Sequence, residues 1–262
     1  MSTQPVALVT GATGAIGLAI ARQLAQKDFA VVLACRNEQK ALTAVADIQR
    51  ATGNRQVRAE LADVSRRASV EALARRWEGP LHVLVNNAAV TPRSRQETSE
   101  GIELQFATNV LGYVWMVEAL ADVLKQSAPA RVVNVASYWA GGLALDDLEF
   151  KRRPYSNGAA YRQSKQANRM LTVAHAGQFE LFNVAVNACH PGDVNSALSN
   201  NLGFGGHDSP DAGAKTPVWL ATEAVGQQQT GKYFEHMRQA RCPFAEDTAA
   251  ITALFEACAA YS

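Results

Sequence analysis

The chain has 262 residues, 48% of them hydrophobic and 19% charged, with 25 Lys and Arg against 24 Asp and Glu for a net charge of +1. That length can bury one α/β core, and the balanced charge excludes a general electrostatic field for nucleic acid or an anionic membrane. Four scattered cysteines without a C-x-x-C (Cys35, Cys189, Cys242, Cys258), a start (Met1-Ser2-Thr3-Gln4-Pro5) without a charged and then apolar leader, and no apolar run of membrane-spanning length together predict a soluble, cytoplasmic protein with free thiols.

Val6-Ala7-Leu8-Val9 predicts a short strand, followed at once by Thr10-Gly11-Ala12-Thr13-Gly14-Ala15-Ile16-Gly17 and then by Leu18, Ile20, Ala21, Leu24 and Ala25 at helical spacing. Strand, glycine-rich turn and helix in that order are the setting a dinucleotide fingerprint requires. Gly11 permits the tight turn, Gly14 a close approach to pyrophosphate, and Gly17 packing of helix on strand. The helix N-terminus adds unpaired N–H groups and a positive dipole end, and Thr13 and Ile16 belong to the same binding turn. A second strand, Phe29 to Ala34, ends in Cys35-Arg36-Asn37, about 20 residues past the glycines, where a carboxylate would hold the ribose 2′-hydroxyl of NAD. No acid stands there. Arg36, with Asn37 beside it, suits a 2′-phosphate instead, so NADP(H) is the expected cofactor.

Ala41, Leu42, Val45 and Ile48 mark the next helix, closed by Thr52-Gly53-Asn54, and a strand from Val57 to Leu61 leads to Ala62-Asp63-Val64. Asp63, with Val64 next to it, either accepts from an adenine amino group or belongs to the N-cap region of the following helix, for which Ser65 is a rival. That helix carries Val70, Leu73, Ala74 and Trp77. A fourth strand, Leu81 to Val85, runs into Asn86-Asn87-Ala88-Ala89, where Asn87 and Ala88 would lie against a cofactor. Repeated β-α units with short connections predict a Rossmann-type doubly wound parallel sheet of about seven strands, with helices on both faces, in one domain over residues 1–262. Ligands then bind at the carboxyl ends of the strands.

Residues 101–125 read as one long apolar helix interrupted by Asn109 and Gly112; a buried Asn109 must find partners. A strand from Arg131 to Ala136 ends at Ser137, and a long segment, Tyr138 to Asn157, then carries Asp146-Asp147 and Lys151-Arg152-Arg153-Pro154. Next, Tyr161 and Lys165 stand four residues apart on a predicted helix, hence on one face. An ammonium there would draw the phenol below its usual pKa of about 10, making a proton donor and acceptor for a carbonyl or alcohol. Taken alone, Y-x-x-x-K is more often an ordinary helix surface. A sixth strand, Asn183 to Cys189, ends in His190-Pro191-Gly192-Asp193-Val194-Asn195-Ser196, and a Gly/Asn-rich substrate loop (about 195–214) reads as a mobile cover. A helix at 215–222, a strand at 232–234 and an Ala-rich helix at 247–260 complete the chain. Its five histidines show no metal-ligand spacing, so no metal is expected.

With Thr10-Gly11 to Gly17, Asn86-Asn87-Ala88, Asn109, Ser137, Tyr161/Lys165 and Pro191-Gly192 in this order, the chain resembles the short-chain dehydrogenase/reductase family over nearly its whole length. Arg36, the stretch from Asp147-Leu148 to Tyr155, and Gly231-Lys232-Tyr233-Phe234 are similar to its retinol-dehydrogenase-like members, which favour NADP(H). The resemblance implies that Tyr161 is the general acid or base and that Ser137 stabilises the substrate oxygen. Lys165 would lower the Tyr161 pKa and bind the nicotinamide ribose, and Asn109 would position a proton-relay water. Pro191, Gly192, Val194 and Ser196 would hold the carboxamide. The chain departs from the family pattern at Gly14 (with Ala15 where the second glycine is usual), at Ala89 and at Ser196, none of which removes a catalytic group. Tyr138, Trp139, Leu143, Tyr155, Leu198, Leu202 and Phe204 suggest an apolar or aromatic pocket, with Trp139, Tyr155, Asp193 and Leu202 as substrate contacts; Asp193 either orients a polar group or caps the next turn. The implied reaction interconverts a small-molecule carbonyl and alcohol. A C=C or C=N reductase and a non-catalytic NADP(H)-sensing regulator are the alternatives. Homodimer and monomer both stay open, since the added loop before Tyr161 would cover the family's usual dimer face.

Overall fold

The computed structural model describes residues 4–261; the reading of residues 1–3 as part of a leaderless start lies outside them. In chain order the elements are β1 (Val6–Thr10), α1 (Ala15–Gln26), β2 (Ala30–Cys35), α2 (Glu38–Thr52), β3 (Val57–Leu61), α3 (Arg67–Arg76) and β4 (Val83–Asn86). Then come α4 (Leu104–Phe106), a π-turn (Ala107–Leu111), α5 (Gly112–Ala119), α6 (Ala121–Gln126), β5 (Ala130–Val135), α7 (Asn157–Gln178) and β6 (Val184–Cys189). The remainder is α8 (Ala197–Asn201), α9 (Pro210–Thr222), α10 (Val225–Gln228), β7 (Tyr233–Glu235), β8 (Arg238–Ala240) and α11 (Thr248–Ala259).

All eight strands form one sheet in the order β3-β2-β1-β4-β5-β6-β7-β8. The pairings from β3 across to β7 are parallel. Strand order reverses between β1 and β4, which opens a crevice at their carboxyl ends. The eighth strand, beyond the seven expected, returns antiparallel on β7 through His236 and Met237, both at positive φ (48° and 58°). Those residues carry none of the Asn-Gly chemistry that marks such a turn in sequence. Side chains alternate across the sheet: Leu8, Val32, Leu84, Val132 and Val186 pack on the face of α3, α5, α7 and α11, while Ala7, Val9, Val31, Leu33 and Val85 pack under α1, α2 and α9. Because both faces are covered, the central strands are apolar throughout rather than alternating.

Local chemistry explains where several helices begin. α2 starts at Asn37, whose side chain accepts from Lys40 N at 2.9 Å, and stops at Gly53 in the left-handed region (φ 74°). α3 starts one residue after Arg66, so neither Asp63 nor Ser65 is its N-cap. Asp63 instead folds back on Ser65, accepting from its N–H (3.0 Å) and hydroxyl (2.7 Å). The long helix expected at 101–125 is also corrected. It begins at Leu104, where the Glu103 carboxylate takes the N–H groups of Gln105 and Phe106, widens into the π-turn around Asn109, and breaks at Leu120 (φ −105°, ψ 7°). π-turns of this kind occur frequently at functional sites. The substrate loop is partly folded: α8 lies inside it, and Val194 bridges to Asp208. Its exit helix starts at Pro210, ahead of the expected 215, because Ser209 accepts from Ala212 N and Pro210 fits the first helical position.

Candidate active site

The glycine turn after β1 is built to different tolerances at each glycine. Gly11 has φ 63°, and a Cβ there would lie 2.8 Å from Ala88 Cα; one on Gly17 would lie 2.4 Å from Gly11 O and 2.6 Å from Asn87 Nδ2. These two are demanded by turn geometry and helix packing. Gly14 is different: a Cβ would meet only Gly11 O, at 3.3 Å, so its open side faces the crevice. Gly14 is the N-cap of α1, without a side-chain cap and without an acid in the first turn, which leaves that turn's N–H groups for an anion. The crevice in front of it has a volume of about 310 Å³ and reaches Thr13, Ile16, Arg36, Asp63, Val64 and Ala88. The exposed Arg36 stands at its margin. Asn37 does not line it, since its side chain is engaged in capping α2.

Ile16, Asn87, Ala89, Ser196 and Leu198 line both this crevice and a larger cavity of about 590 Å³, so the two form one continuous trough. Asn87 is fixed at the junction by donating to Thr10 O at 2.9 Å. The larger cavity contains Ser137, Tyr161 and Lys165, together with Pro191, Gly192, Asp193, Val194, Trp139 and Leu202. Gly192 (φ 110°) turns the chain tightly enough for the Asp208 carboxylate to accept from Asp193 N at 2.9 Å, where a Cβ on Gly192 would lie 2.7 Å from that carboxylate.

Ser137 follows β5, and its hydroxyl accepts from Trp139 N at 3.1 Å. Tyr161 and Lys165 project from the same face of α7 and are 7% and 2% exposed. Lys165 Nζ donates to Val135 O at 2.8 Å and lies 5.6 Å from the ring centre of Tyr161. Burial pushes the Tyr161 phenol up to about 12; the Ser137 hydroxyl pulls the other way and the Asp193 charge adds to the rise. Burial also lowers Lys165 to about 7. Burial thus moves both groups towards their neutral forms, opposite in direction to the lowering of the phenol expected from the lysine.

Asn109 lies behind this pair and outside the cavity lining. Its amide is fully engaged: Oδ1 accepts from Val90 N (2.8 Å), and Nδ2 donates to Val90 O (3.1 Å) and to Ser164 Oγ (3.3 Å). It clamps the π-turn, the segment after β4 and α7 together. Tyr155, expected in the substrate pocket, is elsewhere. Its hydroxyl donates to Pro92 O (3.0 Å) and accepts from Gln105 Nε2 (2.8 Å), and its ring packs on Phe150. Leu143 likewise packs against the core. Arg169 escaped the sequence reading. One turn beyond Lys165 on the same face, its buried guanidinium stacks 3.6 Å over the Tyr233 ring and donates to Ser137 O. Its place four residues after Lys165 was the available signal. His190 also lines the cavity, held neutral by burial that lowers it to about 4. Among the described residues no group of three or more His, Cys, Asp or Glu is arranged to hold a metal, and no helix is long and apolar enough to cross a membrane.

Comparison with known proteins agrees with this architecture. Residues 5–204 match the family model for short chain dehydrogenase. Retinol dehydrogenase 13 of Mus musculus is 36% identical over 261 residues, covering 92% of this chain and 78% of that protein. Retinol dehydrogenase 12 of Mus musculus is 34% identical over 248 residues, covering 89% and 78%. A crystal structure of an uncharacterised protein from Mycobacterium paratuberculosis superposes with a TM-score of 0.82 at 26% identity, covering 97% of this chain and 92% of that one.

Proposed function

From the premise that the chain belongs to the short-chain dehydrogenase/reductase family, we propose that it is a single-domain, NADP(H)-dependent oxidoreductase interconverting a carbonyl and an alcohol on an apolar or aromatic small molecule. The observation that carries this reading is the continuous trough with Arg36 at one end and Ser137, Tyr161 and Lys165 at the other. When bound, the dinucleotide supplies the hydride.

The residues divide the remaining work. The open N-terminus of α1, with Gly11, Thr13, Gly14, Ile16 and Gly17, receives the diphosphate. Arg36 pairs with the 2′-phosphate, while Asn37 beside it caps α2. Asp63 and Val64 flank the adenine. Asn87, Ala88 and Lys165 face the ribose, and Pro191, Gly192, Val194 and Ser196 hold the carboxamide. Tyr161, a phenol protonated at neutral pH and raised further by burial, gives its proton to the carbonyl oxygen during reduction and takes it back during oxidation. Ser137 Oγ donates to the same oxygen as negative charge develops there. In its ammonium form Lys165 stabilises the phenolate that remains. Asn109, its amide committed to holding the π-turn against α7, orders the water behind Lys165 through its backbone, and the proton is replaced through that water. Trp139, Asp193 and Leu202 meet the substrate. An NADP(H) preference favours reduction, and four unpaired cysteines fit a cytoplasmic location.

The test is NADPH oxidation and NADP⁺ reduction across hydrophobic aldehydes, ketones and alcohols, with Tyr161→Phe as the blank. Turnover that disappears in the variant supports the assignment. Turnover retained by Tyr161→Phe places the acid elsewhere, and silence of the wild type despite tight NADPH binding overturns the enzyme reading in favour of a nucleotide sensor.

A further inference from the structure

One wall of the larger cavity has a chemistry that proton and hydride transfer leave unused. Apart from its two histidines, the lining has Lys165 and Asp193 as its residues of formal charge, and the lysine is turned to Val135 O. Asp193, half-buried in the turn after β6, has as its sole side-chain hydrogen bond among the described residues a 3.4 Å contact from Tyr138 Oη, which is long for an O–H donor. It lines the cavity together with Ser137 and Tyr161, and its charge is felt by Tyr138, Tyr161 and His190.

The neighbouring groups do not cancel that charge. His190 is neutral, and Glu235 on β7, bonded to Tyr233 Oη at 2.8 Å, adds negative potential at Tyr138 and His190. Arg169 and His236 oppose it at His190, but neither lines the cavity, and Arg169 is stacked on Tyr233. His207 also lines the cavity, and its backbone N–H donates to Asp193 O at 2.8 Å. Three aromatic rings share the wall. Tyr138 is 52% and Phe204 49% exposed, and Trp139 lies 5.7 Å from Phe204 and 5.9 Å from Tyr161 between ring centres. Large exposed rings at a cavity mouth mark a ligand surface, and ring faces attract cations as well as apolar groups.

We propose that Asp193 and the rings of Tyr138, Trp139 and Phe204 form a cation-selecting subsite, so that the cavity takes aromatic or apolar substrates bearing an amine and disfavours anionic ones. The proposal deepens the carbonyl/alcohol reading of the cavity and takes its substrate class from it, while the subsite itself is testable by binding alone. A charge-assisted hydrogen bond to a carboxylate is about twice as strong as a neutral one, and an ammonium over an aromatic face adds to it.

The experiment is calorimetric titration of the NADPH-saturated protein at pH 7 with phenethylamine, phenethyl alcohol and phenylacetate. Wild type is expected to bind the amine at least about tenfold more tightly than the alcohol, and phenylacetate most weakly. Asp193→Asn keeps a partner for Tyr138 but removes the charge, and should bring amine and alcohol to within about twofold. High salt should erode the wild-type preference, a check that needs no variant. Equal affinities in wild type, a preference unchanged in Asp193→Asn, or no binding of any of the three overturns the proposal. Tyr161-dependent turnover of neutral carbonyls without amine preference sinks the subsite alone. Amine preference without turnover of any carbonyl sinks the enzyme reading alone.

Discussion

Lys165→Met should make the protein more stable while disabling it. Lys165 is 2% exposed and burial lowers its pKa from 10.5 to about 7, a shift of roughly 3.5 units at about 1.4 kcal/mol each. Below about pH 7 the lysine is charged in both folded and unfolded chains, and the burial penalty is fully expressed. Between about pH 7 and 10.5 the folded form releases its proton first while the unfolded chain keeps it, so wild-type stability rises with pH through this window. At pH 7 the penalty amounts to about 4 kcal/mol. Methionine has nearly the same length and no charge to desolvate. It forfeits the hydrogen bond to Val135 O, worth about 1 kcal/mol, but Tyr113 Oη still donates to that carbonyl at 3.2 Å, so no acceptor is orphaned. The expected net gain is about 2–4 kcal/mol at pH 7, shrinking to nothing near pH 10. Urea unfolding of both proteins without cofactor, at pH 7, 8.5 and 10 as conditions of about that spacing, measures it directly. A variant no more stable than wild type at neutral pH, or a gap that does not change with pH, refutes the burial argument.

Arg36→Ala should weaken NADPH binding by at least about tenfold while leaving NADH within about twofold, since only the former carries the 2′-phosphate a guanidinium pairs with; fluorescence titration checks it, and equal losses count against the assignment. Arg169→Met should lower kcat by about tenfold or more at unchanged NADPH affinity, because Ser137 loses the group that holds its carbonyl. Arg169→Lys should recover part of that loss, and a drop in cofactor affinity instead would argue for a merely structural role. His175, whose buried ring nitrogens have no hydrogen-bond partner among the described residues and which burial lowers to about 4, binds a proton in the unfolded chain before it does in the folded one. Stability should therefore fall as pH drops from about 6.5 to 4, by up to about 3 kcal/mol from this residue. His175→Leu should flatten that part of the pH–stability curve, and an unchanged slope would show that other groups set it.

Local patterns could be read without the tertiary structure wherever period and backbone chemistry suffice. Gly11 and Gly17 announce a tight turn and a close helix packing, Gly53 closes a helix, and a spacing of four puts Tyr161 and Lys165 on one face of α7 whatever surrounds them. The β-α alternation likewise implies a parallel sheet with its ligand crevice at the strand ends, because chain connectivity and handedness leave few other ways to bury both faces. What depends on long-range contact could not be read this way. Tyr155 is as aromatic as Trp139, yet only packing decides that it meets Pro92 and Gln105 rather than the cavity. The π-turn at Asn109 exists because Val90, distant in sequence, takes both ends of its amide, and β8 because β7 offers an open edge. The clearest case is the pair at the centre of the site. Spacing predicts that Lys165 draws the Tyr161 phenol down, but desolvation belongs to the assembled core, and burial moves both groups towards their neutral forms.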